Sequence, residues 1–182
     1  MYTYQRTIKS GDMIEVEYYQ SIRKIGKNYG GRKSNNSLSP AKMRKANKLR
    51  AVKHMQRLIN ANFGSGDFFC RFSAPYGTYE TEEEFRKEVG KWLDRINYRL
   101  KKQGKGRLKY IAFIECGKSG KNWHIHIIVS KEDRELLSEQ WPYENGQNFT
   151  PLYKHENFKR LAEYITKDLT GKEDVDAAQK RM

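Results

Sequence analysis

RLKYIAFIECGKSGKNWHIHIIVS, residues 107–130, sets two apolar runs around a short polar centre that carries Gly117 and Gly120. Runs rich in isoleucine, valine and aromatic residues, bounded by glycine-bearing segments, form strands. The centre, CGKSGKN, marks a turn, so RLKYIAFIE and WHIHIIVS are expected to pair antiparallel as a hairpin. Alternation along the second strand sends His124 and His126 to one face and Ile125, Ile127 and Val129 to the other. Two imidazoles therefore stand side by side on a strand that otherwise reads as core. Glu115 ends the first strand at the mouth of the turn, where pairing returns it to His124. Two imidazoles and a carboxylate suit a divalent ion such as Mg²⁺ or Mn²⁺, and zinc also accepts these ligand types. The alternative use of such a pair is structural, as two hydrogen-bonded histidines.

The flanking sequence supplies the rest of the fold. MIEVEYYQ (13–20) and DFFCRFS (67–73) alternate as strands, the second with Phe69, Arg71 and Ser73 on one face and Phe68, Cys70 and Phe72 on the other. SPAKMRKANKLRAVKHMQRLINANFG (39–64) predicts a helix capped by Ser39, with Pro40 at its first position, Gly64 as its stop and an apolar stripe through Met43, Ala46, Leu49, Val52, Met55 and Ile59. TEEEFRKEVGKWLDRINYRLKKQG (81–104) opens on a capping box, Thr81 with Glu84, and repeats Phe85, Val89, Trp92, Ile96 and Leu100 at helical spacing. KEDRELLSEQW (131–141) predicts a short helix and ENFKRLAEYITKDLTG (156–171) an amphipathic one. Strands and helices without regular alternation point to an α+β fold, an antiparallel β-sheet covered by helices.

Charge is distributed unevenly along the 182 residues, whose formal net charge is +14. Residues 1–61 hold fourteen basic and three acidic side chains, and no acid occurs between Tyr18 and Gly66. Such an excess suits a polyanion, and Lys42, Arg44, Lys45, Lys48 and Lys53 on the first helix are candidate DNA-phosphate contacts. GKNYGGRKSNNSLSP (26–40) reads as a mobile basic loop. The two cysteines, Cys70 and Cys116, have no zinc-finger spacing and indicate no disulfide framework, which fits a reducing compartment. No run approaches the roughly 20 apolar residues of a membrane helix, so a cytoplasmic location and no membrane partner are expected.

A metal beside a basic surface suggests phosphate chemistry, which needs a nucleophile. On the last helix Phe158, Leu161, Ala162, Ile165 and Leu169 fill one arc, expected to lie on the sheet, while Arg160, Tyr164, Lys167 and Asp168 fall on another. Tyr164 at the margin could serve as an amphipathic edge residue or as a nucleophile. Lys167, one turn later on the same face, could favour its phenolate. Tyr143, beside Pro142 in QWPYENG, and Tyr153, in a proline-containing loop, are weaker candidates.

The His-Ile-His of NWHIHIIVS, the glutamate nine residues earlier in FIECGKSGKNWH and the later YITK, in that order, resemble the HUH endonucleases, in particular single-tyrosine rolling-circle replication initiators (Rep) of bacterial plasmid and phage type. The resemblance runs over residues 68–167. It implies the HUH fold, a ferredoxin-like or RRM-like palm, and a nick in single-stranded DNA at a replication origin, beside a hairpin, through a 5′-phosphotyrosine intermediate. Carried over by position, Glu115, His124 and His126 would bind Mg²⁺ or Mn²⁺, Tyr164 would attack and Lys167 would assist. Arg71 and Ser73 on the first core strand, Lys118 and Lys121 on the hairpin turn and Arg160 on the tyrosine helix would contact DNA. Host helicase and polymerase would be partners in a bacterial cytoplasm, since GxxxxGK[ST] does not occur here.

Arg71 stands where this family often carries a small hydroxyl residue. The expected division is a basic N-terminal strand, loop and helix over 1–64, part of or packed on the core, a nuclease core over 65–172 and a polar tail over 173–182, either cut short or ending without a later module. Three rival readings stay open. A transposase or relaxase of the same chemistry would share the site, a basic DNA-binding module would use the histidines structurally, and a two-histidine phosphoesterase would need a repeated motif that His54 and His155 do not provide.

Overall fold

The computed structural model describes residues 1–22, 40–153 and 157–167. Its elements run β1 (Tyr2–Ser10), β2 (Met13–Ser21), α1 (Pro40–Asn62), β3 (Phe68–Ser73), α2 (Glu82–Lys102), β4 (Tyr110–Cys116), β5 (Trp123–Val129), α3 (Arg134–Gln140), β6 (Gln147–Pro151) and α4 (Lys159–Lys167). The class is α+β with antiparallel sheets, compatible with a ferredoxin-like or RRM-like palm. The chain divides into two compact units, Phe63–His155 on the one hand and Met1–Asn62 with Glu156–Met182 on the other. No helix among the described residues is long and apolar enough to cross a membrane.

In the Phe63–His155 unit a four-stranded sheet has the order β4-β5-β3-β6, and each neighbouring pair is antiparallel. The hairpin foreseen at 107–130 is its β4–β5 pair, with Glu115 opposite His124 and Phe113 opposite His126. The face bearing Cys70, Phe72, Ile125, Ile127 and Val129 forms the core with Phe85, Val89, Trp92, Ile96 and Leu100 of α2, and with Leu137 and Trp141. Each such side chain withdrawn from water stabilises the unit by roughly 1.5–3 kcal/mol. The capping box closes as predicted: Glu84 N–H donates to Thr81 Oγ1 while the Glu84 carboxylate accepts from the Thr81 backbone. Trp92 is fully buried, and its Nε1–H donates to the Leu137 carbonyl at 3.2 Å. Burial pushes the Cys70 thiol up to about 12, which makes it a packing group rather than a nucleophile. Strand β6 was not foreseen. It is five residues long, mostly polar, and ends on a proline, and it qualifies as a strand only because β3 offers it an edge.

The other unit pairs β1 with β2 through a two-residue turn, Gly11–Asp12, and packs α1 against both β1 and α4. Strand β1 was also missed by the sequence pattern, because its partner-facing and solvent-facing positions are both largely polar. Helix α1 begins at Pro40 as expected; its proposed cap Ser39 and the 26–39 segment lie outside the described residues, as do Asp168, Leu169 and the 173–182 tail. Of the predicted stripe, Val52 and Ile59 are buried, whereas Met43 and Leu49 are exposed. Glu15 and Glu17 of β2 bind α1 through Arg57 at 2.8 and 3.2 Å, and Glu17 also meets Lys53 at 2.6 Å. The Arg57 bond holds the Glu15 carboxyl below its usual range, and the Lys53 bond does the same for Glu17. Helix α4 starts two residues later than expected, because Asn157 and Phe158 take positive φ, 40° and 55°. For phenylalanine this is a strained conformation. It is held by α1, whose Gln56 and Asn60 amides donate to the Asn157 carbonyl at 3.0 and 3.1 Å.

Candidate metal centre

The sheet face opposite the core carries the polar cluster. Register places Phe113 and Glu115 of β4, His124 and His126 of β5, and Arg71 and Ser73 of β3 on that face, with Ser73 opposite His124 and Arg71 opposite His126. Both histidines are buried and Glu115 is nearly so, at 17% side-chain exposure. Their Nε2 atoms converge on one oxygen: Glu115 Oε2 lies 3.2 Å from His124 and 2.8 Å from His126.

Two local features aim the rings. His124 Nδ1 lies 3.2 Å from the Asn122 carbonyl, which also accepts from Gly117 N–H at 2.9 Å. With its ring proton directed to that carbonyl, His124 turns the Nε2 lone pair toward Glu115. The His126 ring lies nearly parallel between Phe69 and Phe113, at centroid distances of 5.3 and 4.9 Å and interplanar angles of 9° and 13°. The two imidazoles meet edge to face at 5.0 Å. The phenyl pair went unnoticed in the sequence, although the signal was present: each phenylalanine sits two residues before a predicted site residue on the same strand face, Phe113 before Glu115 and Phe69 before Arg71.

Two imidazole lone pairs and a carboxylate oxygen cannot occupy this space together without a positive charge among them, either a proton or a cation. The donor set fits a cation. The three ligand atoms lie within 4.8 Å of one another, and bonds of about 2.1 Å at right angles would set neighbouring ligand atoms about 3 Å apart. The observed 2.8 and 3.2 Å bracket that value. A site of this kind with remaining positions for oxygen ligands suits Mg²⁺ or Mn²⁺.

The predicted DNA contacts distribute over both units. Arg71 is exposed and Ser73 half-buried on the cluster's own face, and exposed Lys118 and Lys121 lie on the β4–β5 turn next to Glu115 and His124. In the other unit Lys42, Arg44, Lys45 and Lys48 are exposed along the first half of α1, while Lys53 is committed to Glu17. Tyr164 is 42% exposed on α4 and shares its outward arc with Arg160 and Lys167, whereas Phe158, Ala162 and Ile165 are buried. The margin position foreseen for Tyr164 is therefore observed on its own helix. The competing tyrosines differ. Tyr143 is half-buried with its hydroxyl 2.6 Å from that of Tyr79, and Tyr153 follows β6 and is exposed.

A family model described as replication-associated protein ORF2 matches residues 77–173, more than half of the chain. The matched segment contains Glu115, His124, His126, Tyr164 and Lys167. Searches of curated proteins and of solved structures found no match.

Proposed function

Because the chain belongs to the family of replication-associated protein ORF2, we propose that it initiates rolling-circle replication by nicking single-stranded DNA at an origin, through a covalent phosphotyrosine. The observation that carries this reading is the convergence of His124 and His126 Nε2 on Glu115 Oε2. A Mg²⁺ or Mn²⁺ ion held by these three residues would polarise a phosphoryl oxygen and offset the charge that develops at phosphorus.

Tyr164 supplies the nucleophile. Its phenol has a reference pKa of about 10, so attack at neutral pH requires help in losing the proton, and Lys167 one helical turn on is the cation that favours the phenolate. The phenolate oxygen forms a bond to phosphorus as the bond to the 3′ oxygen breaks. The leaving oxygen takes a proton and becomes a 3′ hydroxyl, while the 5′ phosphate stays on the protein. Because the ester energy is kept in the phosphotyrosine, the reverse attack by a 3′ hydroxyl rejoins the strand without ATP. Arg71, Ser73, Lys118 and Lys121 would align the strand over the cluster, and Arg160 with Lys42, Arg44, Lys45 and Lys48 would bind phosphates elsewhere along it. Host helicase and polymerase would extend the released 3′ end.

Incubation with single-stranded DNA and Mn²⁺, followed by denaturing electrophoresis, is expected to give a slower, nuclease-sensitive protein band, with the phosphate mapped to Tyr164. Tyr164→Phe should bind DNA and metal but form no adduct. An adduct on Tyr143 or Tyr153, or full nicking by the Phe variant, would overturn the assignment.

A further inference from the structure

Beside the cluster lies a cavity of about 450 Å³ whose walls include Ser73, Pro75, Pro142, Tyr143, Glu144 and Asn145. Its position follows from the sheet. Glu115 is opposite His124, His124 is opposite Ser73, and Ser73 N–H donates to the Gly146 carbonyl at 2.9 Å, so these four residues form one row across the strands. Two strand spacings, about 10 Å, separate His124 from the 142–146 segment. That is the scale of a single nucleotide. Gly146 keeps the row closed: its φ is +86°, and a Cβ there would come within 3.0 Å of both Ser73 Cβ and the Ser73 carbonyl oxygen.

The lining separates this cavity from a phosphate site. Among the described residues its walls carry a carboxylate, an amide and a hydroxyl but no lysine or arginine, in a chain whose net charge is +14. By contrast, a cavity of about 380 Å³ at the end of α2 is lined by Lys101, Lys105 and Arg107. Apolar walls with a few convergent polar groups are the usual build of a pocket for a flat organic ligand. One wall is held firmly. The Tyr143 ring stacks edge-on against buried Trp141 at 5.8 Å, and its hydroxyl is joined to that of Tyr79, whose phenol burial raises well above its ordinary range.

We infer that this cavity receives the base of a nucleotide flanking the scissile phosphate and selects one bearing an exocyclic amino group, with Glu144 and Asn145 as the specificity-determining residues. A carboxylate accepts from the amino group of cytosine, and an asparagine amide matches adenine with a donor and an acceptor. Thymine has no amino group to offer, and the Glu144 carboxylate would face its carbonyl oxygens. Stacking against the Tyr143 ring and the two prolines holds any base; the carboxylate and amide discriminate among them. The inference rests on the nuclease reading given above, because it needs a phosphate at the cluster.

The test uses a single-stranded DNA library with randomised positions, incubated with Mn²⁺ and either the wild-type protein or the Glu144→Gln, Asn145→Ala double variant, and sequences the strands captured as covalent adducts. Wild type is expected to disfavour thymine by about tenfold at one position within two nucleotides of the linkage, the discrimination that one good base contact provides. In the double variant that bias should fall to about twofold or less. Adducts with the same base preference in both proteins, or with thymine favoured beside the linkage, would overturn the pocket while leaving the nuclease reading intact. Failure of the wild-type protein to form any adduct would instead overturn the nuclease reading and the pocket with it.

Discussion

Two antiparallel hairpins in this chain solve the same local problem differently. The β1–β2 hairpin presents Ile14, Val16 and Tyr18 to solvent at 62, 46 and 70% exposure, and its other face carries the acids that bind α1. The β4–β5 hairpin has a third strand beside β5, an aromatic core on one face and buried histidines on the other. A two-stranded ribbon is marginally stable alone, whereas a sheet of three or more strands with an apolar face sustains itself. The difference shows where a precise site can be built. His126 is aimed by phenyl rings from β4 and β3, one on each side, and a ribbon with free edges has no second neighbour to supply such a clamp.

The contrast is broken most severely from the core. Trp92→Ala should cost the sheet unit about 3–5 kcal/mol. All three tryptophans of the chain, at 92, 123 and 141, lie in that unit, so intrinsic fluorescence during urea unfolding reports on it, and the midpoint should fall sharply. A smaller but localised loss is expected for Gly11→Ala. The new Cβ would fall 2.0 Å from the Asn60 carbonyl oxygen at a φ of +57°, a penalty of at least about 1 kcal/mol. Amide exchange should accelerate across β1 and β2, and an unchanged exchange pattern there would show that the turn does not rest on α1.

Phe113→Leu sharpens the same comparison by leaving the fold and loosening the clamp. Groups that orient a metal ligand typically change affinity 10- to 100-fold when removed, so Mn²⁺ binding should weaken toward the lower end of that range with little change in urea midpoint. Equal affinity would mean that the histidines are aimed by their hydrogen bonds alone.

Much of the sheet unit was legible because its signals are redundant. The apolar faces of DFFCRFS and WHIHIIVS, the Thr81–Glu84 box and the Phe85-to-Leu100 spacing each point to the same element that the fold contains. The cluster was legible because period-two alternation and a short turn fix which side chains share a face. What escaped depends on neighbours rather than on pattern. Strand β6 exists through β3, and β1 carries too few apolar residues to announce a buried face. The commitment of Lys53 to Glu17, 36 residues apart, is invisible to a count of charges. The late start of α4 at Lys159 comes from backbone conformations at Asn157 and Phe158 that no helical periodicity encodes.

The central claim, that Glu115, His124 and His126 hold one divalent ion, is tested most directly by titrating Mn²⁺ into the protein in a calorimeter and repeating the titration with the His124→Ala, His126→Ala double variant. With two of three ligands removed, the remaining carboxylate cannot retain the ion. The account predicts one ion bound per wild-type chain and no measurable binding to the double variant under the same conditions. Binding of the same stoichiometry and affinity in both proteins would contradict it.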